Sequence, residues 1–323
     1  MITNSSSAII RQTAIGAFIK SLGEGQATVD YSPFISVFKT ATKQADFGWF
    51  GAIDYPAEWG GGRAGSDMKA YTDTLTPKVY GRTYDIDADL FADDQTGTAA
   101  ERAKGVAYMC REYTNVLASE FFEAGTAGTI DTAYDGQFFY DTDHDESGTN
   151  QDNDLTGTAA TGTDPTSDEF ETGVGDALEA AAAFKDDKGH PIGGRAGAVI
   201  EVPPRLIKVA SIVLGSRMAK SPVAAGEGGA ADQSGVTGVF RNQYSWFVNY
   251  HATNTDRFKI HWPASAQSVG PLVMNMREDW RIKTYDPTND KDCDNRNLIQ
   301  IATRARFVVG PGLWQKSIVY IFT

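Results

Sequence analysis

The sequence predicts an α+β fold, and three observations carry that expectation. One very long amphipathic helix pattern lies in the first half of the chain, two shorter helix patterns follow it, and from Phe240 onward strand patterns succeed one another. Helices gathered in the middle and strands gathered at the end indicate segregated layers, whereas a parallel sheet needs strand and helix in alternation. With 323 residues, 41% apolar and 22% charged, the chain is long enough to bury a large core or two sub-domains.

In chain order, residues 54–90 alternate weakly between apolar and polar, with Gly60, Gly61, Gly62 and Gly65 near one end and Pro77 in the middle. This predicts a long hairpin with too little apolar surface to form a core of its own, ordered by neighbouring molecules. Residues 98–124 are the clearest element. Thr98 and Glu101 have capping-box spacing, Gly125 is a stop, and Ala99, Ala103, Val106, Cys110, Tyr113, Leu117, Phe121 and Ala124 recur three or four apart. At 1.5 Å per residue the helix is roughly 40 Å long, the length of a spine.

A second helix is expected over about 167–185, opened by Thr166 and Glu169, with Phe170, Val174, Leu178 and Ala181 on one face. A third starts at Pro204 and runs through Leu206, Val209 and Val213 towards Gly215. Between them "AGAVIEVP" reads as a short buried strand. Residues 219–238 are rich in Gly, Ala and Ser and read as a loop. The strand patterns that follow are "YSWFVNYH", "RFKIHW", "LVMNM", "WRIKTYD", "LIQIATRARFVVG" and "SIVYIFT".

Net charge is -13, from 29 basic and 42 acidic residues, which argues against tight binding of a phosphate backbone because that binding needs clustered Lys and Arg. No apolar run reaches the length of a signal peptide core or a membrane span, so residence in a cytoplasm is expected. Cys110 and Cys293 are too few for a disulfide framework and are expected as buried thiols.

The run "YDTDHDESGTNQD" raises the possibility of a metal. Asp141, Asp143 and Asp145 alternate as hard oxygen ligands, Ser147 and Thr149 add carbonyls or water, and Asp152 closes a loop of calcium-binding length. Against this, the position that needs a turn glycine holds Glu146, and the closing position holds a short Asp where a bidentate Glu belongs. A solvated acidic loop is the favoured reading, and no cofactor or metal is assigned. Gly-Gly-Arg-Ala-Gly occurs at Gly61–Gly65 and Gly193–Gly197, but neither copy is followed by Gly-Lys-Ser/Thr, so both read as loops. His144, His190, His251 and His261 have no metal-ligand spacing, and no nucleophile elbow is present, so no catalytic residues are assigned. Trp246, Trp262 and Trp280 fall inside strand patterns and are expected in the core or at an interface.

"FGWFGAIDYPAEWGGGR" (residues 47–63), "YDGQFFYDTDH" (134–144) and "AVIEVPPRLIKVA" resemble segments of the Mu-type major head proteins of tailed bacteriophages. Phe47, Gly48, Trp49, Gly51, Glu58 and Trp59 carry the first likeness, and Tyr134, Asp135, Gly136, Gln137, Asp141 and His144 the second. The resemblance runs in order over residues 10–215 and fades in the last third.

It implies the Hong Kong 97-type capsid fold. On this sequence that fold would comprise an N-terminal arm (1–53), an extended hairpin (54–95), a peripheral domain (96–165 and 290–323) with the spine helix, and an axial domain (166–289). Residues 297–321 would be a long strand returning to the spine. It further implies a non-enzymatic shell subunit of a virion, assembled in the bacterial cytoplasm into pentamers and hexamers with scaffolding, portal and decoration proteins. Such a shell encloses double-stranded DNA without reading its sequence. Glu58, Trp59, Arg63, Lys69, Lys78 and Arg82 are the candidate intersubunit contacts of the hairpin. The alternative is a calcium-dependent surface-binding or adhesin-type module built on the strand-rich last third, with Asp141–Asp152 as its ion site.

Overall fold

The computed structural model describes residues 15–22, 29–42, 45–50, 70–89, 98–126, 132–146, 148–192, 197–215, 240, 243–265, 268–287 and 289–323. A short helix at 15–22 precedes β1 (Ile35–Lys39), β2 (Ala45–Phe50), β3 (Ala70–Leu75) and β4 (Lys78–Asp87). The spine helix α1 (Thr98–Ala124) follows, then β5 (His144–Glu146), β6 (Thr149–Gln151) and β7 (Asp154–Gly157). Next come α2 (Ser167–Ala183), β8 (Val199–Val202), α3 (Ile207–Val213), β9 (Ser245–Val248), β10 (Arg257–His261) and β11 (Leu272–Tyr285). The chain finishes with α4 (Lys291–Arg296), β12 (Leu298–Pro311) and β13 (Ser317–Phe322).

The spine spans the residues its periodicity predicts, and its two halves pack differently. Ala103, Val106, Ala107 and Cys110 bury with Phe18 against Tyr84, Trp280 and Ile282. Further along, Ala118, Phe121 and Phe122 enter the main core beside Tyr31, Phe139 and Tyr140. Tyr113, expected on the apolar face, is 38% exposed and meets Tyr80 edge-on at 5.4 Å. Gly125 follows the helix, and packing requires it to be small. A Cβ there would lie 2.5 Å from the Tyr140 ring, and its backbone is not left-handed. α2 has the expected capping box, with Glu169 N donating to Thr166 Oγ1 at 3.3 Å and Thr166 N to Glu169 Oε2 at 2.7 Å.

A four-stranded sheet has the order β1-β11-β12-β4, with β1 parallel to β11 and the other pairs antiparallel. A five-stranded sheet has the order β7-β13-β10-β8-β9, with parallel pairs at both edges. α2 covers the second sheet, where Phe170 lies 5.0 Å from Phe258, and Phe258 stacks on Tyr320 at 5.3 Å.

Three expectations change. The antiparallel partner of β3 is β2, so the hairpin ladder joins 45–50 to 70–75, while β4 pairs with β12 along its length. Lys78–Asp87 is therefore ordered inside its own subunit, because Tyr80, Tyr84 and Ile86 pack on the subunit's own residues. β11 is continuous where two strands were expected. Register shifts around Glu278 absorb the change of apolar phase. Residues 297–321 are two strands in different sheets, β12 and β13, separated by a turn at Trp314–Lys316.

Candidate assembly surface and buried polar hub

Of the six hairpin residues singled out from the sequence, Lys78 and Arg82 lie on β4 and are exposed. Glu58, Trp59, Arg63 and Lys69 lie outside the described residues, as does most of the first Gly-Trp segment. The second segment, Tyr134–His144, is a clamp. Asp135 Oδ2 meets His144 Nδ1 at 2.6 Å, the His144 ring stacks on Trp314 at 4.0 Å, and Gln315 Nε2 donates to the Tyr134 hydroxyl at 2.5 Å. The motif thus fastens the loop after the spine to the turn between β12 and β13.

The acidic loop continues into the β5–β6 hairpin. The Asp141 carboxylate accepts from Thr142 N, and the Asp152 carboxylate from Asp154 N, so these acids are used in turning their own backbone. Asp143 and Asp145 are exposed. Among the described residues, no group of three or more His, Cys, Asp or Glu is placed to hold a metal ion. Burial, then the neighbouring Asp152, pushes Asp154 up to about 6.

The sequence reading missed a buried polar hub. Glu201 on β8 accepts at Oε1 from Lys259 Nζ (3.1 Å) and Asn249 Nδ2 (2.9 Å), and at Oε2 from the Tyr31 hydroxyl (2.8 Å). Lys259 also pairs with Glu123 of the spine, and Asn249 donates to Ser119 Oγ at 2.8 Å. His261 Nε2 lies 2.9 Å from Glu201 Oε2, its Nδ1 lies 2.9 Å from Ser317 Oγ, and the Tyr140 hydroxyl is 2.6 Å from the same oxygen.

Burial lowers His261, so the neutral ring donates from Nε2 to Glu201 and accepts at Nδ1 from Ser317. Burial opposes ionisation of Glu201, but Lys259, His261 and Asn249 more than offset it and hold the carboxyl far below its ordinary range. Glu201, Lys259, His261, Asn249 and Tyr31 are buried and only Glu123 of the spine is partly open, so the cluster's work is to fix how the N-terminal segment, spine and second sheet meet. One signal was visible in the sequence: Glu201 and Lys259 each sit in the middle of an apolar strand run.

The described residues include no helix long and apolar enough to cross a membrane. Cys110 and Cys293 are both buried, free thiols, and Trp262 is buried in the core.

Residues 10–172 match the family described as Mu-like prophage major head subunit gpT. The Mu-like prophage FluMu major head subunit of Haemophilus influenzae is 28% identical over 133 residues, covering 40% of this chain and 42% of that protein, so the match spans under half of this curated relative. Among solved structures, the procapsid of bacteriophage JBD30 gives a TM-score of 0.51 at 17% identity, over 99% of this chain and 76% of that one. The mature capsid of bacteriophage PhiM1 gives 0.56 at 11% identity, over 92% and 88%. The virus-like particle from Pyrococcus furiosus gives 0.53 at 8% identity, over 96% and 98%.

These likenesses show that the fold is of the Hong Kong 97 type. The spine, the hairpin strands and the Tyr134–His144 clamp all lie within the stretch that matches the family. The chain therefore belongs to the Mu-like prophage major head subunit family.

Proposed function

We propose that this subunit assembles with copies of itself, as pentamers and hexamers, into the icosahedral head of a tailed double-stranded DNA phage or prophage. Its place is then the virion, after assembly in the bacterial host. The observation that carries the reading is the β2–β3 ladder, which pairs with neither larger sheet. It joins the body at Leu75, buried with Val273 and Val308. A two-stranded ladder is marginal alone. Contact with a neighbouring copy supplies the missing surface, with Glu58, Trp59, Arg63 and Lys69 of the segment joining β2 to β3 as contact residues, and Lys78 and Arg82 as exposed contact residues on β4.

An arm (1–53), hairpin (54–95), peripheral domain (96–165 and 290–323) and axial domain (166–289) are the parts of this assembly reading. Scaffolding and portal proteins guide closure, and decoration proteins bind outside. The net charge of -13 suits a container whose packed DNA must slide. No enzymatic step is invoked.

Negative-stain microscopy of the purified subunit tests the proposal. Rings, tubes or shells are expected. A subunit that stays monomeric at every concentration and salt condition that supports its folding overturns it. Truncation tests of the hairpin must stop before Ala70, because removing Lys78–Arg82 strips half of β4 from β12.

A further inference from the structure

The exposed face of the four-stranded sheet is charged the wrong way for this protein. The strand register places side chains in cross-strand rows: Glu278, Arg306 and Val79, then Arg281, Arg304 and Gly81, then Lys283, Ala302 and Thr83. Arg281 and Arg304 therefore stand directly opposite each other, with Lys283 one row away. Like charges in directly opposed positions destabilise a sheet. Glu278 offsets the conflict only in part, at 2.5 Å from Arg281 and 3.8 Å from Arg304. Gly81, Thr83 and Ala302 form a low floor, and a Cβ on Gly81 would lie 2.7 Å from Thr303 O. The result is an open trough of about 960 Å³ walled by cations, on a chain with 42 acidic and 29 basic residues.

We infer that this trough receives the acidic β5–β6 hairpin of a second copy, with Asp143 and Asp145 against Arg281, Lys283 and Arg304. The inference rests on the self-assembly proposed above and names one of its contacts. Charge complementarity carries it. Asp143 and Asp145 are exposed on a short two-stranded projection whose base is fixed by the Asp135–His144 pair and by Gln151, which hydrogen-bonds the backbone of Lys185 in both directions. A base fixed in this way leaves little ordering of Asp143 and Asp145 to oppose docking. An occupant of this charge also removes the Arg281–Arg304 conflict, which the isolated subunit leaves standing.

The test is sedimentation of the purified subunit at about 0.05 M and about 0.5 M salt, which reads association whether or not shells close. R281E/R304E and D143K/D145K are each expected to weaken low-salt association by at least about tenfold; thermal unfolding should be little changed in D143K/D145K and lowered but still cooperative in R281E/R304E, where Glu278 meets two further carboxylates. The four substitutions in one chain are expected to restore it. Arg304→Gln, which removes the opposed pair, should weaken association while raising or preserving the melting temperature.

A quadruple variant as weak as either double variant overturns the inference, as does association indifferent to both. Loss of retention on short duplex DNA by R281E/R304E, with self-association intact, assigns the trough to phosphate and equally overturns it. Microscopy scores closed particles separately. Salt-sensitive association through these residues without any shell would refute the shell reading and leave this contact standing.

Discussion

His144 stacks on Trp314 with the ring centroids 4.0 Å apart and the planes 6° from parallel, while Asp135 holds the other side of the imidazole at 2.6 Å. His144 and Trp314 are both fully buried, so the stack joins the end of the spine's loop to the end of β12 with no water between the faces. His144→Ala is expected to destabilise by more than about 2 kcal/mol, from the lost contact and the stranded carboxylate. Asp135→Asn, which keeps the stack, should have a smaller effect. Urea unfolding followed by tryptophan fluorescence checks both, and equal effects would show that the stack is not the main contact.

In the hub, Glu201→Gln leaves Lys259 with Glu123 as its remaining carboxylate and is expected to destabilise by about 3–5 kcal/mol. Adding Lys259→Met to Glu201→Gln strands Glu123 and should deepen the loss, whereas neutralising all three, with Glu123→Gln as well, should recover part of it, since a buried ion group removed whole is less harmful than one broken. Chemical denaturation of the single, double and triple variants measures the coupling.

Asp154 and Glu201 set opposite pH dependences. The folded pKa of Asp154 is raised from 3.8 to about 6, so the unfolded chain releases this proton first as pH rises. The stabilisation from its protonated form is present below about 4 and is lost as pH rises through about 6. Glu201, held low, contributes stability above the ordinary carboxylate range that is lost in acid. Asp154→Asn should raise the melting temperature at pH 7 and leave it nearly unchanged at pH 3.5. A gain of the same size at both pH values would rule out titration as its source.

Gly125→Ala tests the packing just beyond the end of the spine. A methyl 2.5 Å from the Tyr140 ring overpacks the site, at a cost of about 1–3 kcal/mol. Net destabilisation is expected, read as a lower calorimetric melting temperature. An unchanged or higher value would show that the Tyr140 ring yields freely.

The elements that were legible in the sequence are those whose burial repeats locally. The spine from Thr98 to Ala124, the Thr166–Glu169 box and the strands holding Ile260, Ile301 and Ile318 each announce themselves through spacing. Pairing was not legible, because nothing in "KVYGRTYDID" says that its partner lies some two hundred residues later in β12. The hub was half legible: Glu201 and Lys259 are conspicuous in apolar runs, but their meeting depends on β8 and β10 being neighbours. The opposed arginines were invisible for the same reason, since "DWRIKTY" and "ATRARF" become a conflict only once their register is set. Cys110 and Trp262 ended buried, as their surroundings in sequence suggested.

β12 is an inner strand of one sheet, between β11 and β4, and β13 is an inner strand of the other, between β7 and β10. Each closes a ladder with a segment made far earlier: β12 with 78–87, and β13 with 154–157. Neither sheet can be completed on the ribosome until residues 298–323 have emerged, and contacts of such long sequence separation form slowly. Until then β4 has no ladder, the rows that set Arg304 opposite Arg281 do not exist, and a nascent chain lacks the face a neighbour would engage. Formation of that face therefore waits on β12, a timing set by the long sequence separation between β4 and its partner strand.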